Sequence, residues 1–256
     1  MLRPRIIPSL LIHDNGLVKT VQFKSPKYVG DPINAVKIFN EKAVDELAVF
    51  DIDATINRRE PNYNLIERLA NQSRMPLCYG GGVKNVEQAQ RIFGLGIEKI
   101  AFSSAICDNP NIIPLVADRV GTQSVIAVLD VKKKMFGGYE IYINNGKKAT
   151  GLNPIEFAAK LEKLGAGEIV INSIDHDGMM NGFDMNLIDK IRESISIPLT
   201  VLGGAGSLVD IGKVIEKHGV IGIAAGSLFV FKGVYKAVLI NYPNRDEKDA
   251  LIKKNI

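Results

Sequence analysis

Two stretches of this chain repeat each other. Residues 76–106, PLCYGGGVKNVEQAQRIFGLGIEKIAFSSAI, run parallel to residues 198–229, PLTVLGGAGSLVDIGKVIEKHGVIGIAAGSLF. Residues 31–53, DPINAVKIFNEKAVDELAVFDID, likewise parallel residues 153–175, NPIEFAAKLEKLGAGEIVINSID. Self-similarity over this length means that one supersecondary unit is used twice. Short apolar runs fall at 6–12, 47–52, 77–81, 100–104, 125–130, 169–174, 199–204 and 221–226. The stretches between them have apolar residues every three or four positions, the helical period. Eight βα units in 256 residues predict an α/β fold, a closed (β/α)8 barrel built from two duplicated half-barrels. The halves are expected at about 1–120 and 121–243, with a polar tail at 244–256 that is either a short helix or frayed.

Composition excludes several function classes. The net charge is only +4, and the lysines are scattered apart from Lys132, Lys133 and Lys134 and the pair Lys147 and Lys148, so nucleic acid is not expected. Cys78 and Cys107 lie in or just after apolar runs without metal-ligand spacing, which reads as reduced thiol. The first apolar run is short, contains Pro8 and lacks a small-residue cleavage site, so no signal peptide is expected. No run approaches the ~20 apolar residues of a membrane span. The expected setting is the cytoplasm, and neither a metal nor a cofactor is expected.

In such a barrel the strand C-termini and the loops after them build the active site. On the repeat frame, Leu10-Leu11-Ile12 matches Leu129-Asp130-Val131, so Leu11 and Asp130 are expected across the mouth from each other. A pair of carboxylates there could serve as general acid and general base; a single carboxylate facing a leucine cannot do both. Glycines and small hydroxyl residues cluster at strand ends in two sets. One comprises Gly81, Gly82, Ser103 and Ser104; the other comprises Asp177, Gly178, Gly203, Gly204, Gly226 and Ser227. Glycine lets backbone approach an anion, and helix N-termini favour phosphate. Two sets related by the repeat predict a phosphorylated small molecule with a phosphate at each end.

The motifs RIIPSL, DELAVFDI, YGGGVKNVEQA, YEIYINNGKKATG, LGAGEI, SIDHDGMMNGFD and LGGAGS occur in order along the chain. They resemble, over nearly the whole length, the cyclase subunit of imidazole glycerol phosphate synthase, a duplicated (β/α)8 barrel of histidine biosynthesis. The resemblance implies ammonia from a glutaminase partner at the N-terminal face of the barrel. The ammonia then passes through the barrel to a doubly phosphorylated ribulosyl substrate. It also implies two acid/base aspartates at the mouth, with a lysine in the first loop. Asp130 and Lys19 match by position, but the other aspartate falls on Leu11. Ser103 replaces a usual asparagine, Asn172 a threonine, Leu202 a serine, Asp53 a threonine and His176 an arginine. His13 and Asp14, just past Leu11, are candidate stand-ins for the lost group. His176 is expected in the loop near the second phosphate, and His218 at a helix C-terminus. The first loop, roughly 13–31, is expected to be mobile.

The other end of the barrel keeps its pattern. Arg5, Glu46, Lys99 and Glu168 each precede a predicted strand. By residue type alone they could be a salt-bridge plug; the resemblance implies an ammonia gate. Together these features resemble a side branch of cyclase-like proteins in surface-polysaccharide pathways. That branch implies delivery of ammonia to a sugar amidotransferase, at the C-terminal face, that makes acetamidino groups. Two other readings stay open: a working cyclase with a rearranged acid/base pair, and a scaffold that keeps its phosphate sites without turnover.

Overall fold

The computed structural model describes residues 3–253. The chain begins with β1 (Arg5–His13), β2 (Gly16–Val21), β3 (Lys24–Gly30) and α1 (Pro32–Glu41), followed by β4 (Leu47–Asp51) and α2 (Tyr63–Gln72). Next come β5 (Leu77–Gly80), α3 (Val86–Gly94), β6 (Lys99–Phe102), α4 (Ser104–Asp108) and α5 (Ile112–Val120). The second half runs β7 (Val125–Lys133), β8 (Tyr139–Ile143), β9 (Lys148–Ala149), α6 (Pro154–Lys163), β10 (Glu168–Ser173) and α7 (Met185–Ser194). It ends with β11 (Leu199–Leu202), α8 (Leu208–His218), β12 (Gly222–Ala225), α9 (Ser227–Val230), the small hairpin β13 (Phe231–Lys232) and β14 (Ala237–Val238), and α10 (Arg245–Lys253).

Parallel pairing runs β12–β1–β4–β5–β6–β7–β10–β11 and returns to β12, so the sheet closes on itself. This is the (β/α)8 barrel expected from the repeat. The duplication is visible in local chemistry. Asp31 and Asn153 cap α1 and α6, each followed by proline at the first helical position. Asn85 and Ser207 cap α3 and α8 in the same way. In both halves the first strand continues into an antiparallel hairpin, β2–β3 after β1 and β8–β9 after β7.

Strand side chains alternate between two layers. One set, including Leu10, Leu47, Tyr79, Ile100, Leu129, Ile171 and Val201, packs under the helices. The other forms a separate apolar cluster inside the barrel: Ile7, Ala48, Cys78, Ala101, Ile126, Val128, Val170 and Ala224. Below that cluster the floor is ionic. Arg5 bonds Glu46 at 2.5 Å and Glu168 at 2.7 Å, and Lys99 bonds the same two carboxylates at 2.8 and 3.1 Å. Thr200 is a fifth member, donating from Oγ1 to Glu168 at 2.5 Å. Its hydroxyl occupies space left by Gly222, where a Cβ would lie 1.8 Å from that oxygen. Burial pushes the Glu168 carboxyl upward, but Arg5 and Lys99 outweigh it and hold the group below its usual range.

One expectation is revised, and one left open is decided. The segment expected to be a mobile first loop is mostly the β2–β3 hairpin. It is folded over the mouth and fastened by Gln22 N to Asp177 O at 2.9 Å and Gln22 Nε2 to Asp175 O at 3.0 Å. Of the two states left open for the tail, its described part is the helix α10. It packs beside α8 and is tied to the floor by Lys248–Asp45 at 2.7 Å and Arg3–Asp249 at 3.0 Å. Among the described residues no helix is long and apolar enough to cross a membrane.

Tyr242 joins the segment before α10 to the first strand, donating to Ile6 O at 2.7 Å and accepting from Asp45 N at 3.2 Å. Tyr242→Phe removes both bonds and strands a buried carbonyl. The expected loss is roughly 1 to 2 kcal/mol, seen as a melting temperature a few degrees lower. An unchanged melting curve would show that this tie contributes nothing.

Candidate active site

A cavity of about 230 Å³ opens at the strand C-termini. Leu11 and Asp130 both line it from strands four places apart in the ring of eight, so they face each other across it. Asp130 is half-buried; Asn172 donates to its Oδ1 at 2.9 Å and Ser103 to its Oδ2 at 3.2 Å. Burial pushes its carboxyl up to about 6, against the pull of those two donors. Lys19, carried on β2, is buried on the same cavity and donates from Nζ to Ser9 O. Burial pulls its ammonium down to about 8, partly offset by Asp177. Leu11, Phe50 and Leu202 supply apolar walls.

The two glycine sets meet at this cavity. Gly81, Gly82, Ser103 and Ser104 line one part, and Asp177, Gly178, Gly203, Gly204, Gly226 and Ser227 another. Gly81 and Gly203 occupy equivalent places in the repeat, with φ of +130° and +91°. A Cβ at Gly81 would lie 2.5 Å from Asp51 O, and at Gly203 2.6 Å from Ser173 O, again equivalent atoms. Only glycine fits either turn. Asp177 differs from its neighbours in using Oδ2 to hold the hairpin, accepting from Thr20 at 2.8 Å and Phe23 N at 3.3 Å.

The stand-ins for Leu11 do not reach the cavity. His13 turns over the β4 loop, where Nδ1 meets Asp53 at 2.7 Å, and Asp14 is exposed with its backbone N–H also on Asp53. That bond to Asp53 raises the His13 pKa. His13, Asp14 and Asp53 are also the one group among the described residues whose ligand atoms lie close enough, within 4.8 Å, to hold a metal ion, which no motif signalled. His176 stands outside the cavity and braces its own loop through Nδ1 to Gly182 O at 2.7 Å. His218 ends α8 as expected, 3.2 Å from Asp189 on α7. Sequence reading passed over Ser9, Thr20, Phe50 and Thr200. Inward strand period alone could have flagged Ser9, Phe50 and Thr200, whereas Thr20 depends on the hairpin.

A family model described as histidine biosynthesis protein matches residues 5–236. The chain belongs to that family. Its relatives place it among HisF-like barrels. It is 56% identical over 249 residues to a provisionally named imidazole glycerol phosphate synthase subunit hisF3 of Vibrio vulnificus (strain YJ016), covering 97% of this chain and 96% of that one. A provisionally named hisF2 subunit of Pseudomonas aeruginosa PAO1 is 49% identical, covering 97% and 99%. The imidazole glycerol phosphate synthase subunit HisF of Lactococcus lactis subsp. cremoris (strain SK11) is 38% identical, covering 85% and 84%.

For this HisF-like chain the mouth carboxylate gives a direct readout. Its folded pKa lies above the ordinary ~3.9 of an unfolded aspartate, so ionising it costs stability. That cost is absent at pH below about 4 and fully present once pH exceeds about 6. The Asp130 carboxyl carbon, followed by NMR, is expected to titrate near pH 6. Ser103→Ala should move the midpoint higher, because the lost hydroxyl favours the ionised form. A midpoint near 4 in the unaltered protein would remove burial as the controlling influence.

Proposed function

We propose that this HisF-like chain is the barrel subunit of a glutamine amidotransferase complex, passing ammonia onward at its mouth. A glutaminase docks on the N-terminal face. Ammonia enters through Arg5, Glu46, Lys99 and Glu168, crosses the lumen lined by Ile7, Ala48, Cys78, Ala101 and Ala224, and leaves beside Asp130. The receiver is a sugar amidotransferase of surface-polysaccharide acetamidino synthesis, docked at the C-terminal face. The apolar lumen suits neutral ammonia, since carrying a bare ammonium ion through it would be costly.

The supporting observation is the contrast between the two ends. The floor ring has all four charges in mutual contact, while the mouth sets one carboxylate against Leu11. Removing one member of the floor ring would leave a buried Glu46 or Glu168 carboxylate short of a partner. Two glycine-lined pockets on the same cavity fit a ligand with phosphate groups. The provisional names of the relatives at 49% and 56% identity, beside the plain HisF name at 38%, are consistent with a separate branch.

A second reading, a working cyclase making imidazole glycerol phosphate, draws on the buried Lys19 near pKa 8 and Asp130 near 6 on one cavity. Lys19 would then take the role that His13 and Asp14 are too far from the cavity to fill. One assay separates the readings: turnover of the doubly phosphorylated ribulosyl substrate with saturating ammonium salt, alongside Leu11→Asp. The expected result is negligible turnover by the unaltered protein and a gain in the variant of ~100-fold or more, the usual worth of one acid/base group. Rapid turnover by the unaltered protein, lost in Lys19→Met, would establish the cyclase instead.

A further inference from the structure

The most exposed large apolar side chains among the described residues sit in pairs at two hairpin tips. Met135 and Phe136, between β7 and β8, are 91% and 98% exposed; Val234 and Tyr235, between β13 and β14, are 94% and 95% exposed. Tyr28 on β3 follows at 66%. All three hairpins belong to the mouth end. The β2–β3 hairpin is folded over the cavity, and β8 turns back from a barrel strand that has run out past it. The β13–β14 hairpin adjoins the first of these, with Lys27 Nζ of β3 lying 5.2 Å from the centre of the Phe231 ring. The turns themselves use Gly137, Gly138 and Gly233, all at positive φ. Nothing in such a turn calls for a bulky apolar neighbour, and water disfavours one.

The same segments concentrate the positive charge. Residues 22–30 contain Lys24 and Lys27, residues 131–140 contain Lys132, Lys133 and Lys134, and residues 231–238 contain Lys232 and Lys236. Against these seven lysines stands one acid, Glu140, which already accepts from Gly151 N at 2.7 Å. The three segments therefore hold a surplus of six positive charges, more than the net +4 of the whole chain. All seven lysines are exposed, and none forms an ion pair among the described residues. At the floor, by contrast, Arg5, Lys99 and Lys248 are all paired.

An exposed aromatic residue beside lysine suits an anionic bilayer: the ring sits at headgroup depth and the ammonium meets lipid phosphate. A protein partner fits less well, because its interface centres on one contiguous apolar core. These tips stand on hairpins that follow β1, β7 and β12, and β1 and β7 lie on opposite sides of the open cavity. A lipid surface takes each tip separately. We infer that the mouth end is a membrane-docking face: its tips, led by Phe136 and Tyr235, enter the headgroup layer of an anionic bilayer while the flanking lysines hold lipid phosphates. This is attachment to a surface and needs no helix that crosses it. The inference does not rest on the conduit reading; a receiving protein docked at the same face would compete with the bilayer for it.

The chain contains no tryptophan, so Phe136→Trp sets a single fluorescent reporter at one tip. The purified barrel subunit is mixed with vesicles of phosphatidylcholine alone, or of phosphatidylcholine and phosphatidylglycerol in equal parts. Sedimentation reads bound protein, and emission reads the reporter. The expected result is binding to the anionic vesicles only, with a blue shift that Leu115→Trp, on the exposed side of α5, does not show. Binding should fall steeply in about 1 M salt, where the screening length shrinks to ~3 Å. Lys132→Gln, Lys133→Gln and Lys134→Gln combined should weaken it about 100-fold, from about 5-fold for each lysine. Phe136→Ser with Tyr235→Ser should weaken it about 10-fold or more. These side chains are exposed and line no part of the cavity, so the melting curve is expected to stay unchanged in both variants. Absence of binding to anionic vesicles would overturn the assignment and leave the tips to an acidic protein. Binding undiminished by the two serine changes would overturn it too, since adsorption by loose charge alone needs no tips.

Discussion

Because the parallel ladder closes between β11 and β12 and between β7 and β10, every strand side chain has only two destinations, the helix layer or the lumen. A two-residue period sorts them, and the position along the strand then sets the height. Arg5, Ile7, Ser9 and Leu11 on β1 therefore occupy successive levels of one interior, from ion ring to cavity. Asp130 owes its environment to that register more than to its immediate neighbours in sequence. A slip of one residue in β7 would place it under a helix and put Leu129 at the mouth.

The architecture was legible because duplication writes the signal twice. Asp31 before Pro32 and Asn153 before Pro154 mark equivalent helix starts, and the Gly81 and Gly203 turns collide with equivalent carbonyls if given a side chain. The ring of Arg5, Glu46, Lys99 and Glu168 was traceable because each lies at or just before a strand start. The β2–β3 hairpin was harder to see. Its turn places Gln22, Phe23 and Ser25 at positive φ without a glycine, and its hold on the barrel is the Asp177 carboxylate 154 or more residues away. His13 was ambiguous for a related reason: its partner Asp53 belongs to the loop after the next barrel strand.

The two ends of the interior handle charge in opposite ways. On the floor two cations and two anions touch, and the Glu168 carboxyl is held below its usual range despite burial. At the mouth the balance is incomplete: Asp130 is raised to about 6 and Lys19 lowered to about 8, and they do not pair. Between the ends lie aliphatic side chains from alanine to isoleucine, the Cys78 thiol and Ser9. A self-satisfied ring gains little from any ligand, whereas unpaired groups are arranged to be completed by one. The mouth is therefore the end poised to take a ligand, and the floor is the door of the proposed conduit.

That door has a lock of two parts. Thr200 fits against Glu168 only because Gly222, on the neighbouring strand, carries no side chain. Neither position can drift alone. A side chain at 222 would evict the hydroxyl, and a larger residue at 200 would meet the backbone of β12. Over evolutionary time the pair is expected to change together or not at all, so the two sites should leave a correlated trace in any set of related barrels that keep this floor.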